Sequence, residues 1–305
     1  MFVNIPELYR AFTRLIIRKS FALWQFFGFH ISANNFYEPI PDTRELDNSL
    51  WSETNQIVGI DFNLSKQVKL LKLFTSKYKN EYDKFPQHKT KILHQYYLMN
   101  GEFETVDAEI LHCMIRYFKP KKVIEIGSGF STMISANAIS TNTNESKTNN
   151  CRFTAIEPYP QKRLPYQIPG LSEIIPKKVQ DVSLREFKKL GNGDILFIDS
   201  SHMLNIGSDV QYEYLQILPN LNVGVIIHIH DIFLPMEYPK KWIFEYRKFW
   251  NEQYFVQALL MFNPNFEIIW SGAAMHKTNN CLLERAFKSY NSGQTPGSLW
   301  IRKIK

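Results

Sequence analysis

From Val106 onward, the sequence alternates between helical patterns and short apolar runs, and this alternation limits the possible folds more than any other feature. Such a pattern predicts a parallel sheet with helices on both faces. The predicted strands are 122–126, 152–156, 174–179, 195–198 and 225–229. A helix over 107–118 is predicted before the first strand, and helices over 131–139 and 206–221 are predicted between strands. Residues 140–150 are predicted to form a polar loop. We therefore expect an α/β fold, a Rossmann-like doubly wound sheet.

The last part of the chain predicts the closure of this sheet. A long helix over 244–260 precedes two further apolar runs, 266–270 and 299–304, which we expect to form an antiparallel closing pair. Before residue 105 the sequence reads as helices and loops, including a helix over 64–79. The predicted organisation is an N-terminal helical extension, 1–104, and a sheet domain, 105–305.

Composition sets broad limits on what this chain can be. Its 305 residues are 44% hydrophobic, enough for one large α/β core. Cys113, Cys151 and Cys281 are too few and too far apart for a disulfide framework or a paired-cysteine zinc site, which indicates a reducing, cytoplasmic setting. The formal net charge of +7 leaves open nucleic acid, an anionic membrane or a merely basic surface.

The N-terminal residues predict an amphipathic helix rather than a membrane span. The apolar stretch 15–29 is interrupted by Arg18, Lys19 and Gln25 and falls short of the roughly 20 residues that a span needs. Asn4 can cap the helix; Leu8, Phe12, Leu15 and Ile16 share a face, and Arg10, Arg14 and Arg18 form a basic stripe. Residues 1–30 could contact a membrane surface, pack on the rest of the chain or join a second subunit in a homo-oligomer.

A glycine-rich turn follows the first predicted strand. Gly127 and Gly129 allow a tight strand-to-helix turn whose N–H groups face a polar ligand. A dinucleotide fingerprint would need a third small residue where Thr132 stands. Glu125 would repel a pyrophosphate and suits a ligand that carries an ammonium group.

Two further carboxylates follow the next two predicted strands. Glu157 ends the second strand and is placed to accept hydrogen bonds from two ribose hydroxyls; the alternative is that it caps a helix. The run Gln180-Asp181-Val182 follows the third strand and could reach an adenine edge, although Asp181 could instead cap the helix that starts near Ser183.

These motifs together resemble a known family. The run Val123-Ile-Glu-Ile-Gly-Ser-Gly-Phe-Ser-Thr132, with Glu157, Asp181 and Phe197-Ile-Asp-Ser-Ser-His202, resembles class I S-adenosylmethionine-dependent methyltransferases of the methyltransferase 24 type over about residues 100–235. The resemblance implies S-adenosylmethionine as the cofactor. It implies a cofactor-binding set of Glu125, Gly127, Ser128, Gly129, Ser131, Thr132, Glu157 and Asp181.

Acidic residues also end the fourth and fifth predicted strands. Asp199 and Asp231 can share a divalent ion if these strands are neighbours, since adjacent parallel strands lie about 4.8 Å apart. His230 could be a third ligand only if the chain has already bent, because strand side chains alternate between faces. His228 is predicted to be a core or supporting histidine.

His202, three residues after Asp199, could take a proton from an acceptor hydroxyl. The pattern is similar to metal-dependent sugar O-methyltransferases that act on macrolides. This similarity implies that Asp199 and Asp231 bind the metal, magnesium first and manganese or iron as alternatives, and that His202 is the base. His230 stands where that family has a carboxylate. The alternative is that the acids cap helices or support loops and that the histidines are core residues.

The segment 232–242 reads as an aromatic, proline-stiffened lid in which Glu237 and Tyr238 either touch substrate or pack. The leading functional hypothesis is O-methylation of a sugar or another small hydroxylated acceptor. The alternatives are an N- or protein methyltransferase, or a non-catalytic protein that binds cofactor or membrane. Nucleic acid is not favoured, because an Asn-Pro-Pro-Tyr-like motif and an appended binding module are absent from the sequence.

Overall fold

The computed structural model describes residues 12–13, 15–35, 37–52, 57–146, 150–160 and 168–305. The chain divides into two compact units, one formed by residues 1–53 and 240–249 and the other by residues 54–239 and 250–305. Across the described segments, no helix is both long enough and apolar enough to cross a membrane.

The smaller unit contains three short helices, α1 (Phe21–Phe26), α2 (Ser49–Ser52) and α9 (Lys240–Phe244). Residues 12–13 and 15–19 are also helical. The predicted positions Asn4, Leu8, Arg10 and Arg14 of the N-terminal helix lie outside the described residues.

The larger unit contains the sheet and its covering helices. Its strands are β1 (Lys122–Ile126), β2 (Arg152–Ile156), β3 (Glu173–Ile175), β4 (Ile195–Ile198), β5 (Ile226–Ile229), β6 (Phe266–Ser271) and β7 (Leu299–Lys303). Its helices are α3 (Leu64–Tyr82), α4 (Asp107–Phe118), α5 (Phe130–Glu145), α6 (Leu184–Phe187), α7 (Asp209–Tyr212), α8 (Leu218–Asn220), α10 (Glu252–Leu260) and α11 (Gly272–Ala286), with a π-helical turn, Glu213–Ile217, between α7 and α8.

The seven strands lie in the order β3-β2-β1-β4-β5-β7-β6. The first five in chain order pair in parallel, whereas β7 runs antiparallel to both β5 and β6. This confirms the predicted Rossmann-like sheet with its antiparallel closing strand. It also makes β4 and β5 neighbours, with Ile198 beside Ile229 at their carboxyl ends.

The central strands are apolar on both faces because helices cover both faces. Alternate residues of β1 and β4 divide between two cores: Val123 and Phe197 belong to one, Ile126 and Ile198 to the other. This two-sided burial holds the strands straight and places the residues that follow them at one common edge.

Three predictions about helices were wrong or incomplete. Helix α5 continues to Glu145, through part of the predicted polar loop, because the buried Asn142 amide donates to the Ile115 carbonyl at 2.9 Å. The predicted helix over 244–260 is interrupted between α9 and α10, where Arg247 adopts a left-handed conformation with φ 55°. Helix α11 was not predicted at all.

Candidate active site

The glycine turn brings the ends of β1 and β4 together. Gly127 has φ +88°, and a Cβ on it would lie 2.1 Å from the Asp199 carbonyl oxygen, so only glycine fits there. A Cβ on Gly129 would meet nothing within 4 Å, which leaves open space above the turn. A ligand can therefore approach the backbone at this point.

Three predicted cofactor residues lie beneath the turn and hold its shape. The Gly129 N–H donates to Thr132 Oγ1 at 3.0 Å, and Ser131 Oγ donates to Glu125 Oε1 at 2.6 Å. Burial raises the pKa of Glu125 to about 8, so its carboxyl is largely neutral at pH 7. Glu125 Oε2 is buried and has no hydrogen-bond partner among the described residues.

A cavity of about 370 Å³ opens beside this turn, and we call it the glycine-turn cavity. It is lined by residues that include Gly127, Glu157, Gln180 and Asp199. Glu157 Oε1 accepts from the Tyr159 N–H at 2.8 Å, and Oε2 accepts from Ser128 Oγ at 3.4 Å. The cavity thus joins the predicted ribose-binding carboxylate to one predicted catalytic residue.

Asp181 lines a different cavity, and its neighbour Gln180 lines the glycine-turn cavity instead. The second cavity is larger, about 640 Å³, but it includes Lys122 and Arg152, the first residues of β1 and β2. Ligands of open α/β sheets bind outside the carboxyl ends of the strands. The smaller cavity is therefore the candidate cofactor site.

Asp199, His202 and Asp231 come together at the same edge. Asp199 follows β4 directly, and Asp231 lies two residues beyond β5. His202 has φ 59°, which turns its ring back over the edge. Its Nε2 lies 3.3 Å from Asp199 Oδ1 and 3.6 Å from Asp231 Oδ2.

Sequence reasoning missed Glu252, which holds the other side of the His202 ring. His202 Nδ1 lies 2.8 Å from Glu252 Oε2, and the Tyr214 hydroxyl donates to Glu252 Oε1 at 2.6 Å. All three side chains are buried. Glu252 Oε2 therefore faces Nδ1, and Nε2 is the nitrogen that faces the edge.

The charges of this cluster support one another. Burial opposes the charge of Asp199, but His230, His202 and His228 outweigh it and lower the pKa of Asp199 to about 2. Burial likewise opposes the charge of His202. Hydrogen bonds with Asp199 and Glu252 and the charge of Asp231 prevail and raise the pKa of His202 well above its usual value.

The two remaining histidines differ in environment. His230 Nε2 lies 3.4 Å from Asp231 Oδ1; burial lowers the pKa of His230, but the nearby aspartates raise it overall. His228 Nε2 lies 2.9 Å from Ser298 Oγ, and its ring stacks on Phe197 at 3.9 Å between centroids. Burial lowers the pKa of His228 well below its usual value, as expected of a core histidine.

The predicted metal ligands were Asp199, His230 and Asp231. Among the described residues, no group of three or more His, Cys, Asp or Glu side chains is arranged to hold a metal ion. Asp199 and Asp231 each direct an oxygen at His202, and the other oxygen of Asp231 faces His230. The metal ion at Asp199, His230 and Asp231 stays a prediction.

The predicted substrate residues Glu237 and Tyr238 lie in a packed segment. Tyr238 is only 2% exposed, and its hydroxyl accepts from the Gln253 N–H at 3.0 Å. Glu237 Oε1 accepts from the Tyr254 hydroxyl at 2.7 Å. Neither residue lines the glycine-turn cavity. These contacts match the alternative in which Glu237 and Tyr238 pack within the protein instead of touching substrate.

Comparison with known proteins gives a family for this fold and site. A family described as a methyltransferase domain matches residues 124–232, which run from β1 to just beyond β5. An uncharacterized protein of Archaeoglobus fulgidus is 33% identical over 165 residues, which cover 51% of this chain and 72% of that protein. The chain belongs to this methyltransferase domain family, within the class I enzymes that depend on S-adenosylmethionine.

Several solved structures are also similar. An O-methyltransferase from Bacillus cereus, in complex with S-adenosylhomocysteine, has 12% identity and a TM-score of 0.39 over 78% of this chain and 90% of its own. The methyltransferase MycE of the mycinamycin biosynthetic pathway, in complex with Mg and S-adenosylhomocysteine, has 12% identity and a TM-score of 0.33 over 63% of this chain and 47% of its own. At these values, neither structure says what this chain binds or methylates.

Proposed function

We propose that this methyltransferase transfers a methyl group to a hydroxyl of a small acceptor, a sugar or another hydroxylated molecule, with His202 as the general base. The observation that carries the proposal is the position of His202. Its Nδ1 is held by the buried Glu252, and its Nε2 faces Asp199, a residue that also lines the glycine-turn cavity. A fixed base thus lies next to the candidate cofactor site.

The residues around the glycine-turn cavity fit S-adenosylmethionine. The open space above Gly129 admits a ligand close to the backbone, and Glu157 offers a carboxylate at the end of β2 for ribose hydroxyls. Gln180, rather than Asp181, offers a side chain for the adenine end. When bound, S-adenosylmethionine supplies an activated methyl group on a sulfonium sulfur.

His202 supplies the proton acceptor that a hydroxyl nucleophile needs. With S-adenosylmethionine bound, its methyl group would be available to the acceptor oxygen, and His202 Nε2 would accept the proton of the acceptor hydroxyl. Glu252 fixes the tautomer and stabilises the imidazolium that forms. Although burial opposes its charge, hydrogen bonds with Asp199 and Glu252 raise the pKa of His202, which makes its imidazole a stronger proton acceptor.

The divalent metal predicted at Asp199, His230 and Asp231 is not required for His202 to accept the proton. It stays a prediction. Transfer assayed in EDTA, and again with added magnesium, manganese or iron, shows whether any of these ions is required.

The proposal is tested by methyl transfer from methyl-labelled S-adenosylmethionine to a panel of glycosides, catechols and other small alcohols, with amines of matched shape as controls. We expect label in an ether product of one hydroxylated acceptor. Label found only in amine or protein products would contradict the proposal.

A further inference from the structure

The helical residues near the N-terminus expose an unusual amount of apolar surface. Among the described residues between 12 and 27, seven large apolar side chains are exposed; Phe26 is 84% and Phe27 59% accessible. The seven are Phe12, Leu15, Ile16, Phe21, Leu23, Phe26 and Phe27. Exposed apolar clusters of this kind mark interaction sites when they are contiguous.

Six of these side chains, all but Phe21, lie on one face, which we call the apolar stripe. At 3.6 residues per turn their positions fall within about 120° of one another. The helical path continues across the turn at Ser20, because the Ser20 N–H donates to the Ile16 carbonyl at 2.9 Å and the Trp24 N–H to the Ser20 carbonyl at 3.1 Å.

A different face of the same segment is less exposed. Ile17, Ser20 and Trp24 are half-buried, and Trp24 Nε1 donates to Ser20 Oγ at 3.0 Å. The apolar stripe is therefore an outward face of a segment that already has its own packing.

The charges beside the stripe indicate what covers it. Arg18 and Lys19 are exposed, and the sequence from residue 8 to residue 37 contains no Asp or Glu but four Lys or Arg residues. An anionic lipid surface complements both features, since it takes up apolar side chains and attracts cations. Two copies of this chain packed stripe to stripe would instead bring like charges together.

We propose that the apolar stripe lies in the interface of an anionic lipid membrane, with Arg18 and Lys19 at the level of the headgroups. The phenylalanine and leucine side chains enter the boundary between headgroups and acyl chains. The long Lys19 side chain, which falls among the apolar positions, reaches outward to the phosphates.

The test is co-sedimentation of the full chain with vesicles of phosphatidylcholine plus phosphatidylglycerol and, separately, of phosphatidylcholine alone. We expect strong binding to the anionic vesicles. The double variant Phe26→Ser/Phe27→Ser should bind them at least about tenfold more weakly, because two apolar side chains no longer enter the interface. The matched control Ile92→Ser/Leu93→Ser, at positions 66% and 78% exposed elsewhere, should bind like the unmodified chain.

Variants that remove charged side chains separate electrostatic attraction to anionic lipid from nonspecific binding. Arg18→Gln/Lys19→Gln should weaken binding to anionic vesicles about tenfold and leave binding to neutral vesicles unchanged. Lys69→Gln/Lys72→Gln, an exposed pair on α3, is the control. Equal binding by the phenylalanine variant would overturn the proposal. So would a vesicle-free dimer that this variant dissociates, because the stripe would then be an interface between copies.

Discussion

Two clusters in the larger unit pair a buried histidine with a carboxylate, yet the pKa of the histidine shifts in opposite directions in the two. In the Arg116 cluster (Glu81, His112, Arg116 and Glu145), His112 Nε2 lies 2.8 Å from Glu81 Oε2. In the His202 cluster (Asp199, His202, Asp231 and Glu252), His202 makes the same kind of contact with Glu252. Burial prevails in the first and lowers the pKa of His112, whereas the pKa of His202 is raised.

The difference lies in the permanent cations. Arg116 donates to both Glu81 and Glu145, and Lys119 lies 3.9 Å from Glu145, so the carboxylates of the first cluster are already neutralised. Among the ion pairs of the described residues, none joins Asp199, Asp231 or Glu252 to a lysine or arginine. The His202 cluster therefore draws protons to its histidines. A cluster whose carboxylates are paired with arginine or lysine stabilises the fold, whereas a cluster whose carboxylates lack such a partner is available for proton transfer.

The largest expected effect separates the two histidines by activity. His202→Gln should lower the rate of methyl transfer by about 10²–10⁴-fold, because the base is lost, with affinity for S-adenosylhomocysteine within about threefold of the unmodified chain. The assay is labelled methyl transfer to the acceptor found above. His112→Gln is the matched control and should keep the rate of methyl transfer of the unmodified chain. An equal loss of rate in both variants would contradict the assignment of His202 as the base.

The next effect tests whether the Arg116 cluster contributes to the stability of the fold. Arg116→Ala should lower the free energy of unfolding by about 2–3 kcal/mol, because it removes a buried guanidinium that donates to Glu81, Asn142 and Glu145. Urea denaturation measures this change. Arg152→Ala removes an exposed ion pair with Glu173 and should cost less than about 1 kcal/mol. A comparably small cost for Arg116→Ala would show that its cluster does not hold α3, α4 and α5 together.

A smaller effect tests whether Glu252 positions His202. Glu252→Gln keeps the shape but not the charge, and we expect kcat to fall about 10²-fold while KM stays within about threefold. Glu213→Gln is the control, because Glu213 is as deeply buried as Glu252 but its Oε2 accepts from Ser200 Oγ rather than facing His202. Loss of KM with an unchanged kcat would assign Glu252 to binding instead.

The smallest effect concerns the cofactor cavity. Glu157→Ala should weaken the binding of S-adenosylhomocysteine about tenfold, because a charged acceptor of ribose hydroxyls is lost. Asp181→Asn, which alters the other cavity, should change the affinity by less than about twofold. Calorimetry measures both. A larger loss of affinity in Asp181→Asn than in Glu157→Ala would indicate that the adenosine binds in the larger cavity.

The sequence predicted the parts of this site that depend on strand order, because apolar runs end where the sheet ends. Asp199 and Asp231 close neighbouring strands, so alternation along the chain was enough to bring them to one edge. Glu252 could not be found this way. It comes 50 positions after His202, and a helical pattern continuous over 244–260 concealed that α10 begins at Glu252 itself.

The side-chain roles were harder to predict than the positions. Glu125, Ser131 and Thr132 belong to the glycine turn by sequence, but their hydrogen bonds form within the turn. Asp181 and Gln180 are adjacent on a short 3₁₀ turn, Val179–Asp181, where one residue's shift decides which cavity a side chain lines. Spacing along the chain does not settle either case, because both depend on packing between elements.

Calorimetric titration of the unmodified chain with S-adenosylhomocysteine, and in parallel with NADH, tests most directly whether the glycine turn serves methyl transfer. We predict saturable binding of S-adenosylhomocysteine at one site per chain and no binding of NADH. Failure to bind S-adenosylhomocysteine, or tighter binding of NADH, would contradict the account.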